Sequence, residues 1–242
     1  MNVAPGSLTN QCGILRAAGT SNLDVSVDGV LDNSKKGDIS AGGNTTPTVK
    51  NKTGSLDNDT GSITAAGDLN ASIAGDATNK GGILAAKGNT ALRANTLDNS
   101  KGTVAAVAGH LQVTTAGATV NTRGGMQAAG ATTLINGGLV NDGGKVIGNT
   151  LAIDAGDKAL NNDHGILDSA TTLDIRSGAL DNNAGLIQSK DAASIDTHGQ
   201  KLTNTRSLAP EQKQGVIVSG GALNLRTGAV DNTGGYIGSK GA

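Results

Sequence analysis

Apolar and polar positions alternate along this chain in one recurring phrase, L-D-N-x-x-G-x-I-x-A, about once every twenty residues. It reads Leu56-Asp57-Asn58-Asp59-Thr60-Gly61-Ser62-Ile63-Thr64-Ala65, then Leu97-Asp98-Asn99-Ser100-Lys101-Gly102-Thr103-Val104-Ala105-Ala106, then Leu180-Asp181-Asn182-Asn183-Ala184-Gly185-Leu186-Ile187-Gln188-Ser189. With the first apolar position taken as the start, repeats begin near 8, 31, 56, 77, 97, 120, 139, 160, 180, 202 and 230. Two residues after the glycine stands an apolar side chain, and two further a small one, as in Ile63 and Ala65 or Ile187 and Ser189; Gln127 interrupts the apolar series in the sixth unit. Apolar at one position and small two later is strand periodicity with one face turned inward. A second alternating stretch follows in most units, for example Leu69-Asn70-Ala71-Ser72-Ile73 or Leu173-Asp174-Ile175, and a short polar turn leads to the next unit. Each unit therefore predicts two or three short strands and no helix-length segment.

Self-similarity at this period means stacked supersecondary units. The predicted fold is all-β, a β-solenoid of about eleven coils of roughly 20 residues, in which strands of adjacent coils pair at about 4.8 Å and the rod is roughly 50 Å long. One coil buries too few aliphatic side chains to offset the entropy of ordering it, so stacking must stabilise the whole. No linker or change of composition interrupts the units, and residues 1–242 read as a single β-solenoid repeat domain.

Two columns recur beside the apolar ones. Glycine stands at Gly13, Gly37, Gly61, Gly82, Gly102, Gly125, Gly144, Gly165, Gly185, Gly215 and Gly235, which marks a corner needing positive φ or a close backbone approach. Asparagine stands at Asn10, Asn33, Asn58, Asn79, Asn99, Asn141, Asn162, Asn182, Asn204 and Asn232, with Thr122 in the sixth unit. Its place two residues after an inward apolar side chain puts it on the core side, where a buried amide must be paired. Asparagines of successive coils bonding one another, bonds to the turn backbone and contact with a ligand each satisfy that demand; separately, asparagine suits a left-handed corner conformation.

Composition narrows the reading. There is no Phe or Trp and one Tyr, Tyr236, so the core is too narrow to need large aromatic side chains. A net charge of −1 gives no electrostatic case for nucleic acid or anionic lipid as a partner. Cys12 is the only cysteine, which rules out an intrachain disulfide and a cysteine-based zinc site. No apolar run approaches the length of a membrane-spanning helix, and Met1 to Leu23 lacks the charged and apolar regions of a signal peptide.

Leucine-rich repeats share the unit length but place Asn three residues after an L-x-L pair, where Leu223-Asn224-Leu225-Arg226-Thr227-Gly228 has Gly. The consensus L-x-N-x-x-G-x-[ILV]-x-[AS]-x-G-x-L-x-[LIV], carried closely by Leu56 to Ile73 and Leu97 to Val113, resembles the haemagglutinin repeat of filamentous haemagglutinin-type exoproteins. The resemblance extends from about Leu8 to the C-terminus. It implies a right-handed parallel β-helix, secreted or held at the bacterial surface and exported by two-partner secretion through an outer-membrane β-barrel transporter. It also implies an adhesin, a haemolysin-like protein or a contact-dependent growth-inhibition toxin as the parent. The family's N-P secretion motifs are not matched, since Pro5, Pro47 and Pro210 follow Ala4, Thr46 and Ala209, and the repeats run to both ends without a cap. The expectation is a fragment of a larger exoprotein.

No constellation of reactive residues emerges from the register. His110, His164 and His198 fall at different places in their units, so no catalytic or metal site is assigned, and no cofactor. Asp32, Asp57, Asp98, Asp181 and Asp231 share one column and read as turn residues making local backbone bonds. A carbohydrate-active β-helix enzyme would need a shaped cleft with paired acids, and a chain with one Glu and one aromatic residue is not read as an enzyme. Two units depart from the pattern, at 42–54 and 207–214. Their Lys50, Lys52, Glu211 and Lys213 are the candidates for direct binding of host glycans or surface proteins. The leading expectation is a repetitive shaft that holds adhesive or toxic modules away from the cell.

Overall fold

The computed structural model describes residues 1–206 and 215–241. Among these residues each coil lays one strand into each of three sheets, and each sheet holds eleven strands in chain order, taking every third strand. The first sheet runs from Asn2–Val3 and Leu23–Val27 to Leu223–Arg226, the second from Leu8–Thr9 to Val230–Asp231, and the third from Ile14–Ala17 to Tyr236–Ser239. Strand pairing is parallel throughout. The chain is thus an all-β solenoid of about eleven turns.

Strand alternation decides what fills the rod. In Leu69–Ile73 the side chains of Leu69, Ala71 and Ile73 are buried while Asn70 and Ser72 are exposed. The same alternation in every coil feeds one continuous apolar cluster, with Leu31, Leu56 and Leu97 from the second sheet meeting Ile39, Ile63 and Val104 from the third. Leu, Ile, Val and Ala with Met126 suffice because three strands close around a narrow interior.

The sixth coil corrects the sequence register by one residue. Leu97 pairs with Thr119 and Thr119 with Leu139, so Thr119, not Val120, is the inward start. Asn121 then takes the asparagine column in place of Thr122, Gly124 the glycine column in place of Gly125, and Met126 the apolar column in place of Gln127. The apparent exceptions of that unit disappear once Thr119 is allowed inside.

The departure at 42–54 is also smaller than expected. Thr45–Val49 is a regular strand pairing residue for residue with Leu23–Val27. Thr45 is tolerated inside because its hydroxyl donates to the Thr64 carbonyl at 2.7 Å. Only the link from Lys50 to Gly54 is irregular. The segment 207–214, with Glu211 and Lys213, lies outside the described residues.

Candidate functional site

The corner between the second and third sheets carries the repeat's polar signature. Each ladder asparagine donates from Nδ2 to the Oδ1 of the asparagine one coil on, at 2.7–2.8 Å from Asn10 to Asn232. The same Nδ2 also reaches two carbonyls: for Asn79, those of Gly82 at 3.2 Å and Thr103 at 3.1 Å. Asn33, Asn58, Asn79, Asn99, Asn121, Asn141, Asn162, Asn182 and Asn204 have no solvent exposure. A buried amide column with donors and acceptors paired down its length is a polar spine, not a binding surface.

The glycine that follows the asparagine is demanded by proximity. A Cβ on Gly61 would fall within 3.0 Å of the Asn33 carbonyl oxygen, and the other column glycines press on the previous coil in the same way, save Gly13 in the first coil. The left-handed residue stands one position earlier, at Cys12, Thr60, Lys101, Arg123, His164 and Ala184, each with φ between 51° and 59°. The sequence left positive φ and close approach as alternatives, and the two demands fall on neighbouring residues. Gly125, named in the sequence column, has nothing within 4 Å of an added Cβ.

Aspartates one residue before the asparagine face outward and close the turn. The Oδ1 atoms of Asp32, Asp98 and Asp231 accept from the backbone N–H and hydroxyl of Ser34, Ser100 and Thr233. Burial pushes Asp32 and Asp98 upward, but the bonds from Ser34 and Ser100, with Lys35 and Lys80 nearby, outweigh it and leave both carboxyls below the usual range. In Asp231 the Thr233 hydroxyl is the main cause of a lowered pKa, and in Asp76 the Thr96 hydroxyl followed by the Asn95 amide.

The remaining candidates are scattered. Lys50 and Lys52 are exposed in the 50–54 link, and Lys50 pairs with Asp28 at 3.5 Å across two exposed side chains. His110 accepts from the Ala131 N–H at 2.9 Å, and His198 sits 3.0 Å from the Ser177 carbonyl. Grooves on the rod are open: one of about 650 Å³ is lined by Arg176, Asp196 and Arg226, and one of about 560 Å³ by Lys52, Arg93 and Thr114. One grouping escaped the sequence reading. Asp142, Asp163 and His164 converge on the turn beside the ladder; the signal was two successive units with Asp directly after the ladder asparagine.

A family model for the haemagglutinin repeat matches residues 106–163, 146–206 and 209–242, more than half of the chain. No curated protein and no solved structure matches it.

Proposed function

This chain belongs to the haemagglutinin-repeat family, and on that premise we propose that it is a section of the shaft of a secreted or surface-held exoprotein of the filamentous haemagglutinin type. The haemagglutinin repeat is a structural, adhesin-type repeat, and a β-solenoid rod suits that use. The shaft would hold an adhesive or toxic module at a distance from the cell, after export through an outer-membrane β-barrel transporter. All residues of the chain form one repeat domain in this reading, with no catalytic role. The observation that carries it is the asparagine spine, which continues unbroken through every coil from Asn10 to Asn232. Continuity of spine and core favours stiffness over a localised site. A second reading, direct adhesion to host glycans or proteins, draws on the exposed Lys50 and Lys52 in the 50–54 link beside an open groove.

Binding of the purified chain to a glycan array and to cultured host cells separates the two. The shaft reading expects no saturable binding by this segment. Saturable binding that falls on Lys50→Ala and Lys52→Ala would replace it with the adhesive reading.

A further inference from the structure

Asp142 and Asp163 each follow a ladder asparagine, and Asn141 and Asn162 are bonded to each other at 2.7 Å. The one-coil repeat therefore stacks the two carboxylates. The Gly143 N–H donating to the Asp163 carbonyl at 2.8 Å fixes the register between the two turns. His164 has a left-handed backbone, φ 53°, and its Nδ1 lies 2.7 Å from Asp163 Oδ1. One ligand atom from each of the three side chains can be chosen so that no two are more than 4.8 Å apart. Side chains at this point are about a third exposed, 30% for His164 and 33% for Asp163, so an ion can enter from solvent.

Like charges on adjacent rungs repel. Elsewhere along this turn column the neighbours of an acid are cationic or neutral: Asp59 faces Lys80, whose Nζ is 4.0 Å away, and Asp163 faces Asn183 on its other side. Among the described residues Asp142 and Asp163 are the one directly stacked acidic pair in the column, and it is here that an imidazole joins them. That nitrogen distinguishes the set from a surface acidic patch: carboxylates alone suit magnesium or calcium, whereas imidazole with carboxylate suits zinc and its neighbours in the first transition row. Bond lengths of about 2.0–2.2 Å place two ligand atoms on one ion up to roughly 4.4 Å apart, so small side-chain rotations close the site. Neighbouring polar side chains hold the carboxylate in place. Thr205 Oγ1 donates to Asn183 Oδ1 at 3.0 Å, which directs Asn183 Nδ2 onto Asp163 Oδ1 at 2.9 Å.

We propose that Asp142, Asp163 and His164 bind a divalent transition-metal ion of the zinc class, clamping the seventh coil to the eighth. The inference does not depend on the shaft reading. Its test is calorimetric titration of the untagged chain with Zn²⁺, with Co²⁺ absorbance as a report on coordination. Asp142→Asn removes the carboxylate repulsion, and His164→Asn keeps a residue that tolerates the left-handed backbone, so both variants fold; circular dichroism checks this. One site per chain is expected, with Zn²⁺ affinity at least tenfold weaker in each variant and unchanged in His198→Asn. Zinc should raise the melting temperature of the parent chain and not of Asp142→Asn. Absence of saturable binding, or binding that survives both substitutions, overturns the proposal.

Discussion

Replacing one asparagine in the middle of the spine should cost more than its single side chain suggests. Asn99 accepts from Asn79 Nδ2 at 2.7 Å and donates to Asn121 Oδ1 at 2.8 Å, with further carbonyl acceptors on Gly102 and Gly125 at 3.3 and 3.2 Å. Asn99→Ala removes both spine links. Asn79 Nδ2 keeps the Gly82 and Thr103 carbonyls, but Asn121 Oδ1 is left fully buried without its donor. The Asn79 link is worth about 1 kcal/mol net, the loss of the Asn121 link counts as a buried orphan acceptor of about 1–3, and the small void adds about 1. The total is about 3–5 kcal/mol, a factor of roughly 10² to 10³ or more in the local opening equilibrium. Native-state hydrogen exchange reads this directly at the Asn99 N–H, which bonds the Val120 carbonyl across the coils. Because each coil contacts only its neighbours, the loss of protection should fade within a few coils on either side. Asn232→Ala at the solvent-exposed end breaks one spine link, which water can replace, and should cost below about 1 kcal/mol. Equal effects for the two substitutions, or less than about 1 kcal/mol for Asn99→Ala, would refute the spine as a source of cohesion.

Adjacent glycines should differ sharply. Gly124→Ala drives a Cβ to within 3.0 Å of the Asn99 carbonyl oxygen and should lower the melting temperature by several degrees, while Gly125→Ala meets open space and should change it little. Thr90→Val leaves the buried Ala105 carbonyl without the hydroxyl that donates to it at 2.6 Å, and denaturant titration should show a loss of about 1–2 kcal/mol. Acid should destabilise in a defined window. The folded-state pKa values of Asp32, Asp76, Asp98 and Asp231 are lowered, so their contribution is present above the unfolded value near 4 and is lost as pH falls through the folded values. Unfolding midpoints should be nearly flat from about pH 7 to 5 and fall below about pH 4. Asp76→Asn should blunt that fall.

What was legible in the sequence was whatever a period-two or period-twenty pattern expresses. Leu, Ile and Val at inward positions name themselves, and so does an asparagine that cannot be buried unpaired. Two of the misses share a physical cause, a polar or special residue standing inside the rod. Thr119 is fully buried, and its hydroxyl lies 2.9 Å from that of Thr115; a hydropathy rule prefers Val120 and shifts the unit by one. Thr45 and Pro47 disguised a strand as a loop. Pro47 lacks an N–H, and pairing toward Leu69–Ile73 lapses at Thr46 and Pro47 before resuming at Thr48. The Asp142, Asp163 and His164 grouping was hidden for a different reason. Its members belong to consecutive units, and only the stacking of coils turns a separation of about twenty residues into contact.

That same geometry sets what variation the shaft tolerates. Inward positions answer to two neighbouring coils at once, so a change at Leu97 or Asn99 is felt above and below, and the column must be kept as a column. Outward positions are held more loosely: Asp98 closes on Ser100 within one coil, and Lys80 reaches it at 3.4 Å from an exposed position, an interaction of little energetic weight. Recognition or metal binding can therefore be written into the outward columns without disturbing the fold. Such chemistry can draw on neighbouring coils as well as on one turn, as the Asn183 Nδ2 bond to Asp163 Oδ1 at 2.9 Å does. The stacked carboxylates of Asp142 and Asp163 follow this logic. Two coils supply what one lacks, and their register is already held by the asparagines beside them.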